Sequence, residues 1–151
     1  MSGTSSRKKT PRWLKTINRP VVALQHLGVA FGLTHLISIP GRQSGELRTT
    51  PVSPVTVDGE RYVISVWEGS DWVKNARAAG WAILSRGRKQ ERVTLIELPL
   101  EERAGVLREL PRQVPRGARF YQQRFGVEND PEAFAALAPR CPTFRISTHQ
   151  R

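Results

Sequence analysis

The 151-residue sequence has a single cysteine, Cys141, so it holds no internal disulfide framework and no cysteine-cluster zinc or iron–sulfur site. Histidine is nearly as scarce: His26, His35 and His149 lie apart without ligand spacing, which speaks against a histidine-based metal centre. Aromatics make up only 7% of residues. They do not alternate with basic residues along any strand-like stretch, so the chain has no base-stacking platform and specific nucleic-acid binding is not expected. Long apolar runs are missing as well. Arg19 to Arg42 contains no charge between its ends, but Pro20, Gln25, His26, Gly28, Gly32, Thr34 and His35 break it up before a membrane-spanning length of about 18 apolar residues is reached. No P-loop, Rossmann or Gly-x-Ser-x-Gly fingerprint occurs. Acids are outnumbered, 13 against 24 Lys and Arg, for a net charge of +11. With 38% hydrophobic and 25% charged residues, these absences leave a one-domain, cationic, globular protein of a reducing compartment, with an anion as its partner.

The distribution of the charge matters more than its sum. Residues 1–19 hold Arg7, Lys8, Lys9, Arg12, Lys15 and Arg19 and no acid, which is +6 of the +11. Residues 1–12 read as a disordered basic tail. Thr10-Pro11 signals a helix start, and Trp13, Leu14 and Ile17, then Val21, Leu24 and Leu27, place two short helices within 13–32. The tail suits non-specific, salt-sensitive contact with polyanions and weak attachment to a membrane surface. The expected location is cytoplasmic, with peripheral attachment at the inner face of the membrane.

From residue 33 to 151 the pattern is that of a folded domain rich in strands. Leu33–Ile39 is β-prone and stops at Pro40-Gly41; Thr49–Val57 is a second strand, marked by Pro51 and Pro54 as an edge or a bulge. Asp58-Gly59 between Val55–Val57 and Tyr62–Val66 is a two-residue hairpin turn. Ser70 or Asp71 caps a short helix, Trp72–Ala79, closed by Gly80. Trp81–Leu84 and Arg92–Leu98 are further strands, Leu100–Leu110 a helix, and Pro131–Ala138 a short helix. Between those helices lies Pro- and Arg-rich chain, and Pro142–Ser147 is the last strand. About six hairpin-joined strands with helices between them predict an α+β fold: a small antiparallel barrel with peripheral helices.

The loop Gly41-Arg-Gln-Ser-Gly-Glu-Leu-Arg48 is the leading candidate for chemistry. Two glycines permit backbone amides to converge on one concavity, Arg42 and Arg48 offer planar forks to phosphate or carboxylate, and Ser44, Thr49 and Thr50 add hydroxyls. The alternative is an ordinary turn with solvated arginines.

Three blocks in order, Gly41–Pro51, Asp58–Val63 and Asp71–Gly80, resemble the deazaflavin-dependent nitroreductase family. The likeness runs from about Leu33 to Ser147. It implies a split β-barrel of the FMN-binding type, of the kind found in actinobacteria, using coenzyme F420. It further implies that the Gly41–Arg48 loop holds the coenzyme's phosphodiester and acidic tail through Arg42, Gln43, Ser44, Arg48, Thr49, Thr50 and Pro51. Ser65, Val66, Trp67, Trp72 and Asn75 are implied to line the deazaflavin ring. Two positions where the family commonly has a basic residue hold Gln43 and Val66-Trp67-Glu68 here, with Lys74 as the compensating cation. Tyr121 falls where relatives tend to carry a tyrosine near the substrate, and a phenol there orients or protonates an acceptor oxygen. A packing role on the barrel is its alternative. The implied activity is reduction of an electron-poor small molecule (a quinone, an enone or a nitro compound) by reduced F420. The alternatives are an FMN-binding oxidoreductase on the same barrel and a deazaflavin-binding protein without turnover. Barrels of this kind often pair, so a homodimer is expected, although Pro51 and Pro54 blunt the edges.

Overall fold

The computed structural model describes residues 34–148, so the tail and helices expected over 1–12 and 13–32 lie outside the described residues. Its strands are β1 (His35–Pro40), β2 (Leu47–Val52), β3 (Val55–Val57), β4 (Glu60–Ile64), β5 (Trp81–Arg86), β6 (Lys89–Glu97) and β7 (Thr143–Thr148). The helices are α1 (Asp71–Ala79), α2 (Leu100–Gln113), α3 (Pro115–Phe125) and α4 (Pro131–Ala135), with a 3-10 turn at Ala138–Arg140. The strands form one sheet in the order β2-β1-β5-β6-β7-β4-β3, every pair antiparallel. The predicted α+β class and split barrel hold, with seven strands rather than six. Ser53-Pro54 breaks the expected Thr49–Val57 strand, because proline cannot donate to a ladder, and its halves become the two edges of the sheet. The predicted hairpin is present: Asp58 and Gly59 have φ of 51° and 81°, as a two-residue turn requires.

The sheet is curled. Val52 on β2 and Val63 on β4 are five strands apart in hydrogen-bonding order, a separation of about 24 Å if flat. Both nevertheless join one apolar cluster with Ile37, Leu84, Phe144 and Val73 of α1. The sheet wraps around that cluster and α1 stops one end.

A second cluster lies outside the barrel, where α2, α3 and α4 pack through Leu107, Leu110, Ala118, Tyr121 and Phe134 beside Val55 of β3. Two departures from the sequence reading occur in this layer. α2 runs past the expected end at Leu110, because Pro111 is near the C-terminus, where losing one amide costs little, and the Val114 amide still donates to the Leu110 carbonyl at 2.8 Å. The extra turn brings Gln113 onto edge strand β3. Its amide accepts from the Thr56 N–H at 2.8 Å and donates to the Thr56 carbonyl at 2.7 Å, covering an otherwise open edge. The Pro- and Arg-rich chain, for which the sequence reading gives no element, is helix α3, opened by Pro115 at its first turn.

Candidate active site

Two adjoining clefts bring together most of the predicted residues. The first, of about 420 Å³, lies between the Gly41–Arg48 loop and the start of α1. Arg42, Gln43, Ser44, Arg48, Thr50, Trp72 and Asn75 line it, with Asp71. The second, of about 260 Å³, lies between β2, the segment after β4, and helices α2 and α3. Thr50, Pro51, Ser65, Val66, Trp67, Trp72 and Tyr121 line it beside Leu110, Val114, Gly117 and Phe120. Thr50 and Trp72 line both, so a cationic cleft and an apolar cleft lie side by side as the two ends of one site.

Helix α1 organises the cationic end. Asn75 is 4% exposed, and its Oδ1 accepts from the Arg42 backbone N–H at 3.0 Å and from Arg42 Nη1 at 2.8 Å. Arg42 Nη2 is 3.4 Å from Asp71 Oδ1. Arg42 is thus an oriented cation and not a solvated one. Asn75 was expected to line a ring, and here it holds the arginine that faces the cleft.

The loop does not present a row of free amides. Gly41 N–H donates to the Glu46 carbonyl (2.7 Å), Gly45 N–H to the Gly41 carbonyl (2.8 Å) and Glu46 N–H to Ser44 Oγ (3.1 Å). These bonds close the turn, and left-handed Gly45 (φ 79°) makes it short. Gly41 serves by its lack of bulk: a Cβ would lie 3.1 Å from Ser44 Oγ and 3.5 Å from Arg48 Nε. What this end offers to an anion is therefore the side chains of Arg42, Arg48, Ser44 and Thr50, all of which line the cleft.

Two predicted residues face elsewhere. Thr49 bonds Ser38 Oγ at 2.8 Å, on the opposite face of β2 from Thr50, as strand alternation demands. Lys74 is exposed on α1 and lines neither cleft. The cation that returns to the Val66–Glu68 loop comes from α3: Arg124 Cζ is 4.0 Å from the Trp67 ring centroid.

At the apolar end Ser65 is 2% exposed and clamps its own loop. Its Oγ donates to the Trp67 carbonyl (2.6 Å), accepts from the Trp67 N–H (3.1 Å) and lies 3.1 Å from Ser70 Oγ. Trp72 packs its ring on Phe144 with centroids 5.6 Å apart, giving the site a fixed flat wall where the two clefts adjoin. Tyr121 lines the second cleft and also packs in the outer cluster, as its alternative reading has it. It is 7% exposed, its hydroxyl donates to the Ile64 carbonyl at 3.2 Å, and burial drives its pKa far above the ordinary phenol value. A phenol so held is a poor proton donor. Cys141 is fully buried and burial pushes its thiol up to about 12, which disfavours the thiolate.

A model of the family described as F420H(2)-dependent quinone reductase matches residues 7–128. No curated protein matches the chain. Among solved structures, one titled as an F420-H2 dependent reductase is 22% identical, covers 75% of this chain and 92% of its own, and has a TM-score of 0.52. Another, described as a domain-swapped dimer, is 20% identical over 86% of this chain and 99% of its own, with a TM-score of 0.52. A conserved hypothetical protein from Mycobacterium tuberculosis is 10% identical over 86% of this chain and 80% of its own, with a TM-score of 0.55. These three share the fold.

Proposed function

The chain belongs to the F420H(2)-dependent quinone reductase family, and from that premise we propose that its site binds F420 at the cationic end and an electron-poor acceptor at the apolar end. The protein is an F420H2-dependent oxidoreductase. The observation that carries the two-ended reading is that the two clefts adjoin, with Thr50 and Trp72 lining both.

The residues suit the group. F420 carries a phosphodiester and an acidic tail, and the first cleft offers two guanidinium groups and two hydroxyls around Gly41, where a Cβ would crowd Ser44 Oγ at 3.1 Å. Arg42, Arg48, Ser44 and Thr50 hold the anionic part, and Trp72 gives a flat wall to the ring system. When bound, the reduced coenzyme supplies the two-electron reducing equivalent. The chain's own work is to bind, orient and exclude water. Leu110, Val114 and Phe120 line an end that, among the described residues, has no Asp, Glu, Lys, Arg or His, which favours a planar, weakly solvated acceptor (a quinone, an enone or a nitro compound).

A titration of the purified protein with F420 tests this reading. Micromolar binding is expected, weakened about tenfold or more in Arg48→Ala by loss of a charge-assisted contact. No binding, or an unchanged affinity in the variant, would overturn it.

Tyr121 serves in this reading as a wall. Tyr121→Phe is expected to keep kcat within about threefold, against the 10²-fold or greater loss typical of a missing proton-transfer group. Its raised pKa also fixes the sign at alkaline pH. The fold retains the phenolic proton that the unfolded chain gives up near its ordinary pKa of about 10, so this group lowers stability as pH rises past that value. Tyr121→Phe should therefore shift alkaline unfolding upward, read by circular dichroism against pH.

A further inference from the structure

We propose that Arg124 is a positioning residue for the acceptor: stacked on Trp67, it fixes an exposed indole as one wall of the apolar cleft and so favours planar conjugated acceptors over compact non-planar ones. The inference rests on the two-ended reading of the site given above. Trp67 lines the cleft yet is 51% exposed, an unusual state for a large aromatic that serves as a wall. Its backbone is already fixed by two hydrogen bonds with Ser65 Oγ, which donates to the Trp67 carbonyl at 2.6 Å and accepts from the Trp67 N–H at 3.1 Å. Only its side-chain torsions are left to settle, and ordering such a side chain during binding costs affinity.

The Arg124 guanidinium settles them. Its Cζ is 4.0 Å from the indole centroid, inside cation–π range. Arg124 is itself backed by its neighbour Phe125, whose centroid is 5.2 Å from Arg124 Cζ and 4.6 Å from Arg140 Cζ. The stack Trp67–Arg124–Phe125–Arg140 ties the lip of the cleft through α3 to the 3-10 turn before β7. Among the described residues no carboxylate forms an ion pair with Arg124 or Arg140, so both guanidinium planes remain available to the rings. A flat acceptor that lies against the indole uses this wall over its whole area. A compact non-planar one does not.

The experiment compares wild type, Arg124→Ala, Arg124→Lys, Trp67→Ala and the double alanine variant, with menadione as the planar acceptor and 2-cyclohexenone as the compact one. Arg124→Ala should raise KM for menadione about two- to fivefold, the range of an exposed cation–π contact, while KM for cyclohexenone and the F420 dissociation constant stay unchanged. Arg124→Lys should fall between, since an ammonium keeps the charge but lacks the planar face. The double variant should be no worse than Trp67→Ala alone. Fluorescence anisotropy of the Trp67 component, isolated by difference from Trp67→Phe, should drop in Arg124→Ala even without coenzyme. Equal KM changes for both acceptors, additive effects in the double variant, or unchanged anisotropy would overturn the proposal. Failure of wild type to bind F420 would strike the functional reading instead and leave the anisotropy result standing.

Discussion

Asn75→Leu is expected to weaken F420 binding by about ten- to a hundredfold in a fluorescence-quench titration, more than any other single change at the cationic end. The magnitude follows from what Asn75 Oδ1 accepts, one bond from the Arg42 backbone and one from its guanidinium, where a hydrogen bond to a charged group is worth about 1.5–3 kcal/mol. Leucine is close to isosteric but accepts nothing. It frees Arg42 to swing toward Asp71, which already lies 3.4 Å from Nη2 and competes with any anionic ligand for that cation. Asn75→Asp separates orientation from charge. It keeps an acceptor for both bonds but adds a negative charge beside a phosphate site, so affinity should still fall, and more steeply at low salt. A thermal melt of each variant guards against simple unfolding, since Asn75 is buried. Binding within twofold of wild type in a normally melting Asn75→Leu would show that Arg42 does not need its tether.

Local chemistry carried much of the fold into the sequence. Asp58-Gly59 demanded positive φ and a hairpin, and the structure has both. The Gly41–Arg48 loop was legible because glycine, arginine and hydroxyl residues cluster within eight positions. Its tether was not, since Arg42 and Asn75 are 33 residues apart and meet only when α1 caps the barrel. Arg124 over Trp67 is hidden for the same reason, one residue on α3 and the other in the loop after β4. α3 itself was obscured by Pro111 and Pro115, which read as breakers when taken singly. Its signal was present in Pro115 as a first-turn residue and in Ala118, Tyr121 and Phe125 at helical spacing. Thr49 turns away from the first cleft to meet Ser38, a pairing across β1 and β2 that the local sequence does not show.

Phe134→Ala should lower stability by about 3–5 kcal/mol, the usual range for emptying a fully buried phenylalanine site. In a domain of this size that corresponds to a fall in Tm of roughly 10 °C or more. Phe134 is 0% exposed on α4, a five-residue helix held by Asp130, whose Oδ2 accepts from the Ala133 N–H at 3.0 Å. Its ring meets Tyr121 with centroids 6.0 Å apart, and Tyr121 reaches the Ile64 carbonyl at 3.2 Å, at the mouth of the segment that bears Ser65 and Trp67. Phe134 therefore supports the apolar end through Tyr121, whereas the cationic end rests on the barrel cluster that contains Ile39 and Val73. The two ends should respond unequally. Well below the melting temperature, KM for the acceptor should rise severalfold in Phe134→Ala while the F420 dissociation constant changes less than about twofold, since Phe134 packs in the outer cluster and lines neither cleft, reaching the site only through Tyr121. Phe134→Leu, which keeps most of the volume, should show a smaller loss of stability and acceptor binding in the same proportion. An equal loss at both ends would mean that the two clusters act as one cooperative core, and a variant melting within about 2 °C of wild type would show that the helical layer repacks without it.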